Sequence, residues 1–139
     1  MPGAIMKKYV SIVLLCALAG CAYIPIFGRS PTPETPVFFK QRSARLDQPA
    51  LHAIQTAARY AAAQPGAPVS ITGAADSSGD TAANAALSAQ RAQAVAETLV
   101  ADGVAVQRIH IHAIGTASAP EPQGVPAQYA RRVLIQIGS

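Results

Sequence analysis

Between Val69 and Leu99 the chain changes its hydrophobic period, and that switch limits the folds open to it. Val69 and Ile71 alternate in a short run that ends at Gly73. β-Branched side chains at alternating positions favour a strand. A polar, glycine-containing stretch follows, carrying Asp76 and Gly79. Ala92, Val95, Ala96 and Leu99 then recur at i, i+3, i+4 and i+7, the spacing of one buried helix face. Ser88 reads as the N-cap of that helix, with Arg91 in its first turn. A loop acid at the end of a strand and an arginine at the start of a helix form a cradle for a ligand bearing both signs of charge.

The flanking segments complete an alternating pattern. Val37-Phe38-Phe39 is a short strand candidate. Asp47 and Pro49 then precede Leu51, Ile54, Ala58 and Ala61. That is helical spacing behind an acidic cap, with proline in the first turn. Gln64-Pro65-Gly66 stops this helix, and Asp102-Gly103 stops the one before Arg108. From Arg108 to Ile114 the pattern alternates, with Ile109 and Ile111 on one face and His110 and His112 on the other. This predicts a half-buried strand. Thr116 to Tyr129 is a loop rich in Pro, Gly, Ser and Ala. Arg132 to Ile137 closes as a strand with Val133, Ile135 and Ile137 on one face. The expected fold is a two-layer α/β (α+β) sandwich of order β-α-β-α-β-β, with both helices on one face of a mixed sheet.

At 139 residues the chain has room for one domain of ordinary size. Half of it is apolar, but much of that is alanine, so the core is expected to consist of Ile, Val and Leu with Ala at close helix contacts. Lys7 and Lys8 account for two of the eleven basic residues, leaving nine against seven acidic ones beyond residue 20. A net +2 with no basic run and no interleaved aromatics argues against a nucleic-acid partner.

The N-terminus reads as a leader. Met6-Lys7-Lys8 is followed by an apolar run of about a dozen residues. That is shorter than the roughly 20 residues that span a bilayer. Leu18-Ala19-Gly20-Cys21 resembles the bacterial lipobox. The resemblance implies cleavage after residue 20, lipidation of Cys21, and anchoring by several acyl chains. Cys16 would leave with the leader and Cys21 would be blocked, so no disulfide is expected. Ala22, rather than Asp, favours the outer membrane, with the domain facing the periplasm. Residues 22–36 contain four prolines and read as an extended tether. The expected organisation is therefore a leader over 1–20, a lipidated tether over 21–36 and a domain over 37–139.

The central stretch also carries a family resemblance. Gly73-x-x-Asp76-x-x-Gly79-x4-Asn84-x-x-Leu87-Ser88-x-x-Arg91-Ala92-x-x-Val95 is similar to the signature of the OmpA-like peptidoglycan-binding domain. Val37-Phe38-Phe39 resembles the family's first strand, and Arg131-Arg132-Val133 its closing Asn-Arg-Arg-Val. With the lipobox in front, the chain resembles a Pal-type peptidoglycan-associated lipoprotein. The resemblance implies that Asp76 receives the ammonium of a diaminopimelate stem and that Arg91 grips its carboxylate. It further implies that Asn84 and Arg131 support the ligand or line the site. An amino-acid zwitterion suits such a pair, because arginine offers paired N–H groups matched to a carboxylate. The bland account of Asp76 and Arg91 is an internal ion pair. The implied function is non-covalent tethering of the outer membrane to peptidoglycan, with Tol-like periplasmic proteins as further partners.

Three departures favour an alternative. Ala74-Ala75 stands where the family carries His-Thr, Ala130 where it carries Asn, and Thr116 where it carries an acid. The alternative is a degenerate module that serves as a protein-interaction component of an envelope complex. Other constellations are weaker. His110-x-His112 offers two metal ligands without an evident third, and Asp76-Ser77-Ser78-Gly79-Asp80 lacks the later bidentate Glu of a calcium loop. Ser77 and Ser78 sit in no nucleophile elbow. No enzyme activity, metal or cofactor is expected.

Overall fold

The computed structural model describes residues 32–75, 80–116 and 127–138. The leader, Cys21, the tether up to residue 31, the Asp76–Gly79 loop and residues 117–126 lie outside the described residues. The elements are β1 (Glu34–Phe38), α1 (Gln48–Ala62), β2 (Val69–Ala75), α2 (Thr81–Ala101), β3 (Ile109–Thr116) and β4 (Arg132–Ile137). Short 3-10 turns precede β3 and β4, at Val106–Arg108 and Ala127–Ala130.

The four strands form one mixed sheet of order β1-β4-β2-β3. β4 runs antiparallel to both β1 and β2, and β2 runs parallel to β3. A parallel pair needs a crossover, and α2 provides it. Val37, Val69, Ile71, Val133, Ile135 and Ile137 bury one face of the sheet in a single core with residues of both helices. α1 contributes Ala50, Ile54, Ala57, Ala58 and Ala61, and α2 contributes Ala92, Val95, Ala96 and Leu99. The expected two-layer α+β architecture is therefore present. Alanine at most helix positions lets the helices lie close to the sheet, as the composition suggested.

α1 forms where the sequence places it. Asp47 caps it, accepting from the Ala50 amide at 3.1 Å, and Pro49 lies in the first turn. Arg108 ties its far end to β3. Nε donates to the Ala67 carbonyl at 2.8 Å, and Nη2 to those of Ala61 and Gln64 at 3.0 and 2.8 Å.

Several element boundaries differ from expectation, β2 running on to Ala75 and β3 to Thr116. α2 starts at Thr81, not at Ser88, and its N-cap is Asp80, whose carboxylate accepts from the Ala83 amide at 2.9 Å. Ser88 lies inside the helix, with Oγ donating back to the Ala85 carbonyl at 2.9 Å. Arg91 therefore stands well beyond the first turn, where the positive end of the helix dipole does not act on it. β1 starts at Glu34 and includes Pro36, which an edge strand tolerates because half of its main-chain groups have no ladder partner. β3 starts at Ile109, since Arg108 belongs to the preceding turn. As the other edge strand, β3 leaves Ile111 41% exposed while Ile109 is half-buried.

Asp80→Ala tests the helix start. It is expected to lower stability by about 1 kcal/mol, the usual cost of losing an N-cap, read as the urea unfolding midpoint. Were Ser88 the cap, the change would be nearly silent. No helix among the described residues is long and apolar enough to cross a membrane.

Candidate functional site

Among the described residues only three polar or charged side chains are buried: Asn84, Ser88 and Arg91. They fall at i, i+4 and i+7 of α2, so they form one stripe along one face of the helix. That stripe faces the C-terminal end of β2, where Gly73 allows the closest approach. A Cβ built on Gly73 would collide with the Ser88 carbonyl oxygen and stand 3.1 Å from the Ala92 Cβ. Helix and strand therefore touch main chain to main chain just before the Asp76 loop.

Arg91 is fully buried. Its Nε donates to the Ser43 carbonyl at 2.9 Å, Nη1 to that of Ala74 at 3.2 Å and Nη2 to that of Lys40 at 3.1 Å. Its guanidinium carbon lies 5.2 Å from the centroid of the Phe39 ring, a cation–π contact. The planar fork thus joins the β1–α1 connection to the end of β2. That connection includes Arg42, held at a φ of 52°, a backbone conformation that L-residues rarely adopt. A buried charge must be met by polar groups, and three backbone carbonyls are among those that meet it here.

The other sequence candidates distribute around this centre. Asn84 is 8% exposed, one turn into α2. Arg131 is half-buried, and its carbonyl accepts from the Phe39 amide at 3.0 Å, so its backbone adjoins the residue under Arg91. Asp76 follows directly on Ala75, the last residue of β2, and Cys21 lies in the undescribed N-terminal segment. Ala74 and Ala75 are buried, at 7% and 1% exposure, and Ala130 is buried at 7%. The residues that sequence reasoning missed are Lys40 and Ser43, which act through main-chain carbonyls.

Elsewhere, a cleft of about 270 Å³ at the far end of α2 is lined by Gln55, Ala58, Arg59, Ala62 and Asp102. Among the described residues no group of three or more His, Cys, Asp or Glu side chains is placed to hold a metal.

A two-layer α+β domain with its buried polar residues gathered where α2 meets the end of β2 defines the class of this protein. The OmpA family model matches residues 38–132, which is most of the chain, and the protein belongs to that family. The fold is shared with the peptidoglycan-associated lipoprotein of Burkholderia pseudomallei, at 24% identity over 74% of this chain and 89% of the other, with a TM-score of 0.65. It is also shared with the OmpA-like domain of FopA1 from Francisella tularensis subsp. tularensis SCHU S4, at 21% identity, 73% and 69% coverage and a TM-score of 0.66. The periplasmic domain of Helicobacter pylori MotB has the same fold at 19% identity, 76% and 74% coverage and a TM-score of 0.64. No curated protein sequence matches the chain.

Proposed function

We propose that the protein is an outer-membrane lipoprotein whose OmpA-family domain binds peptidoglycan without a covalent link. Cys21 carries the lipid, the proline-rich segment gives reach, and the domain holds a diaminopimelate stem on the periplasmic side. The observation that carries this reading is the buried stripe Asn84-Ser88-Arg91 beside the end of β2. Its members occupy the spaced positions of the family signature.

Arg91 has two parts in this mechanism. It braces the wall of the site through Lys40 and Ser43, and it sets a positive charge beneath the floor. A buried charge acts through little screening water, so it draws a ligand carboxylate more strongly than an exposed one does. Asp76, next after β2, receives the ammonium. Asn84 and Arg131 supply hydrogen bonds at the rim. No step needs a nucleophile or a metal, so the module binds and does not turn over. A Tol-like periplasmic protein is a further partner under the same reading.

The test is co-sedimentation with purified sacculi. Asp76→Ala is expected to weaken retention roughly 10- to 100-fold, corresponding to the roughly 1.5–3 kcal/mol of a hydrogen bond to a charged group. Unchanged retention of that variant sinks the assignment. Failure of the parent protein itself to bind, together with capture of an envelope protein that survives Asp76→Ala, selects the protein-interaction module instead. Ala74-Ala75, Ala130 and Thr116, which stand where the family signature carries polar or acidic residues, are what favour that second reading.

A further inference from the structure

The two edges of the sheet are defended unequally. β1 carries Glu34 and Pro36, a charge and a missing donor, both of which discourage strand addition. β3 has neither between Ile109 and Ala113. Its pairing with β2 is regular there, and the register shifts only later, between Gly73 and Ala75. Residues 110–113 are all exposed, Ile111 by 41%. An edge strand presents unpaired N–H and C=O groups to any strand that fits.

The side chains of this edge sort by face. Ile111 shares a row with Ile71 and Ile135, on the side covered by the helices. His110 and His112 lie in rows with the half-buried Ser70 and Thr72, on the open side. The segment Ile109-His110-Ile111-His112-Ala113 is therefore complementary to itself. Set antiparallel to a second copy about Ile111, each His110 stands opposite a His112, Ile111 covers Ile111, and Ile109 meets Ala113. The other registers pair fewer histidines or leave Ile111 uncovered.

That arrangement completes a ligand set. Directly opposed residues have Cβ atoms about 4.5–5.5 Å apart. Residues i and i+2 of one strand are about 6.6–6.8 Å apart along it. Four imidazoles thus rise from one small rectangle on the open face. Tetrahedral Zn²⁺ takes imidazole nitrogens at about 2.0–2.1 Å. One copy alone offers two ligands, consistent with the absence of any larger metal-ligating group among the described residues. The geometry points to a dimer across β3 that is bridged by one divalent transition metal, held by His110 and His112 of both copies. The two sheets become one, with both helix layers on the same side.

Sedimentation velocity of the full chain in density-matched detergent, with and without ZnCl₂, tests this. Zinc is expected to double the protein mass per particle, with one zinc bound per two chains by metal analysis. The double variant His110→Ala/His112→Ala changes only exposed side chains and should abolish both effects. His52→Ala removes the one other histidine, on α1, and should leave both intact. Ile111→Lys sets two like charges face to face and should raise the zinc needed for dimerisation about tenfold or more. Zinc binding at one per chain without a mass change overturns the proposal. So does an absence of zinc binding, or a dimer that persists without both histidines.

Discussion

Arg91→Leu is expected to lower the stability of the domain by about 3–5 kcal/mol, although leucine is apolar and its site is fully buried. Two effects oppose each other. Removing the guanidinium also removes the desolvation cost of a buried charge, and a hydrophobic replacement for a buried ion is sometimes neutral or better. Here the partners remain. The Lys40, Ser43 and Ala74 carbonyls each lose an N–H, and a buried acceptor left without a donor costs about 1–3 kcal/mol, although the Lys40 carbonyl keeps the Ser43 amide at 3.2 Å. The three costs do not add in full, because they share one side chain and two of the carbonyls lie in a connection that can turn towards water. The loss should therefore appear both as a lower urea midpoint and as faster amide exchange over residues 40–46. Arg91→Lys should recover only part, since a single ammonium cannot span three carbonyls in a plane. A loss under about 1 kcal/mol for Arg91→Leu would mean that these bonds are readily replaced by water. The consequence for function is practical. Sacculus binding by any Arg91 variant must therefore be read beside its stability.

The contrast between α1 and α2 shows what a sequence records and what it does not. α1 was legible because Asp47, Pro49 and the apolar period all mark the same start. β4 was legible because Val133, Ile135 and Ile137 are buried in strict alternation. The start of α2 was not. Thr81, Ala82, Ala83, Ala85 and Ala86 are exposed, so no apolar stripe records the first turns. Alanine forms helix well without packing against anything. The periodicity becomes visible only where the sheet covers the helix, and Ser88 stands at that boundary. Arg91 was found from motif spacing, but its setting was hidden for a different reason. Three of its acceptors are main-chain oxygens 17, 48 and 51 positions away, and a carbonyl leaves no trace in residue type. The exposure of Ile111 was not legible, because alternation reports which face a residue occupies and not whether its strand lies at an edge.

Gly73→Val is expected to be the most damaging single substitution on the sheet, and Gly73→Ala to cost about 1–3 kcal/mol, near the upper end for an overpacked core. The reason is space and not backbone freedom, since Gly73 is not among the glycines held at positive φ. A Cβ there meets the Ser88 carbonyl oxygen, and the Ser88 carbonyl carbon at 3.2 Å. Both atoms are backbone in the middle of a helix, so no side-chain rotation relieves the clash. α2 must shift as a body, and Arg91 shifts with it. Its bond to the Ala74 carbonyl spans the same gap that Gly73 keeps narrow. The two residues should therefore be coupled. Once Arg91→Leu has already released the end of β2, adding Gly73→Ala should cost less than it does in the parent. A double-mutant cycle should give an interaction energy of about 0.5 kcal/mol or more. Strict additivity would show that α2 moves away from β2 without disturbing the arginine, and that close approach and polar stripe are independent features of the site.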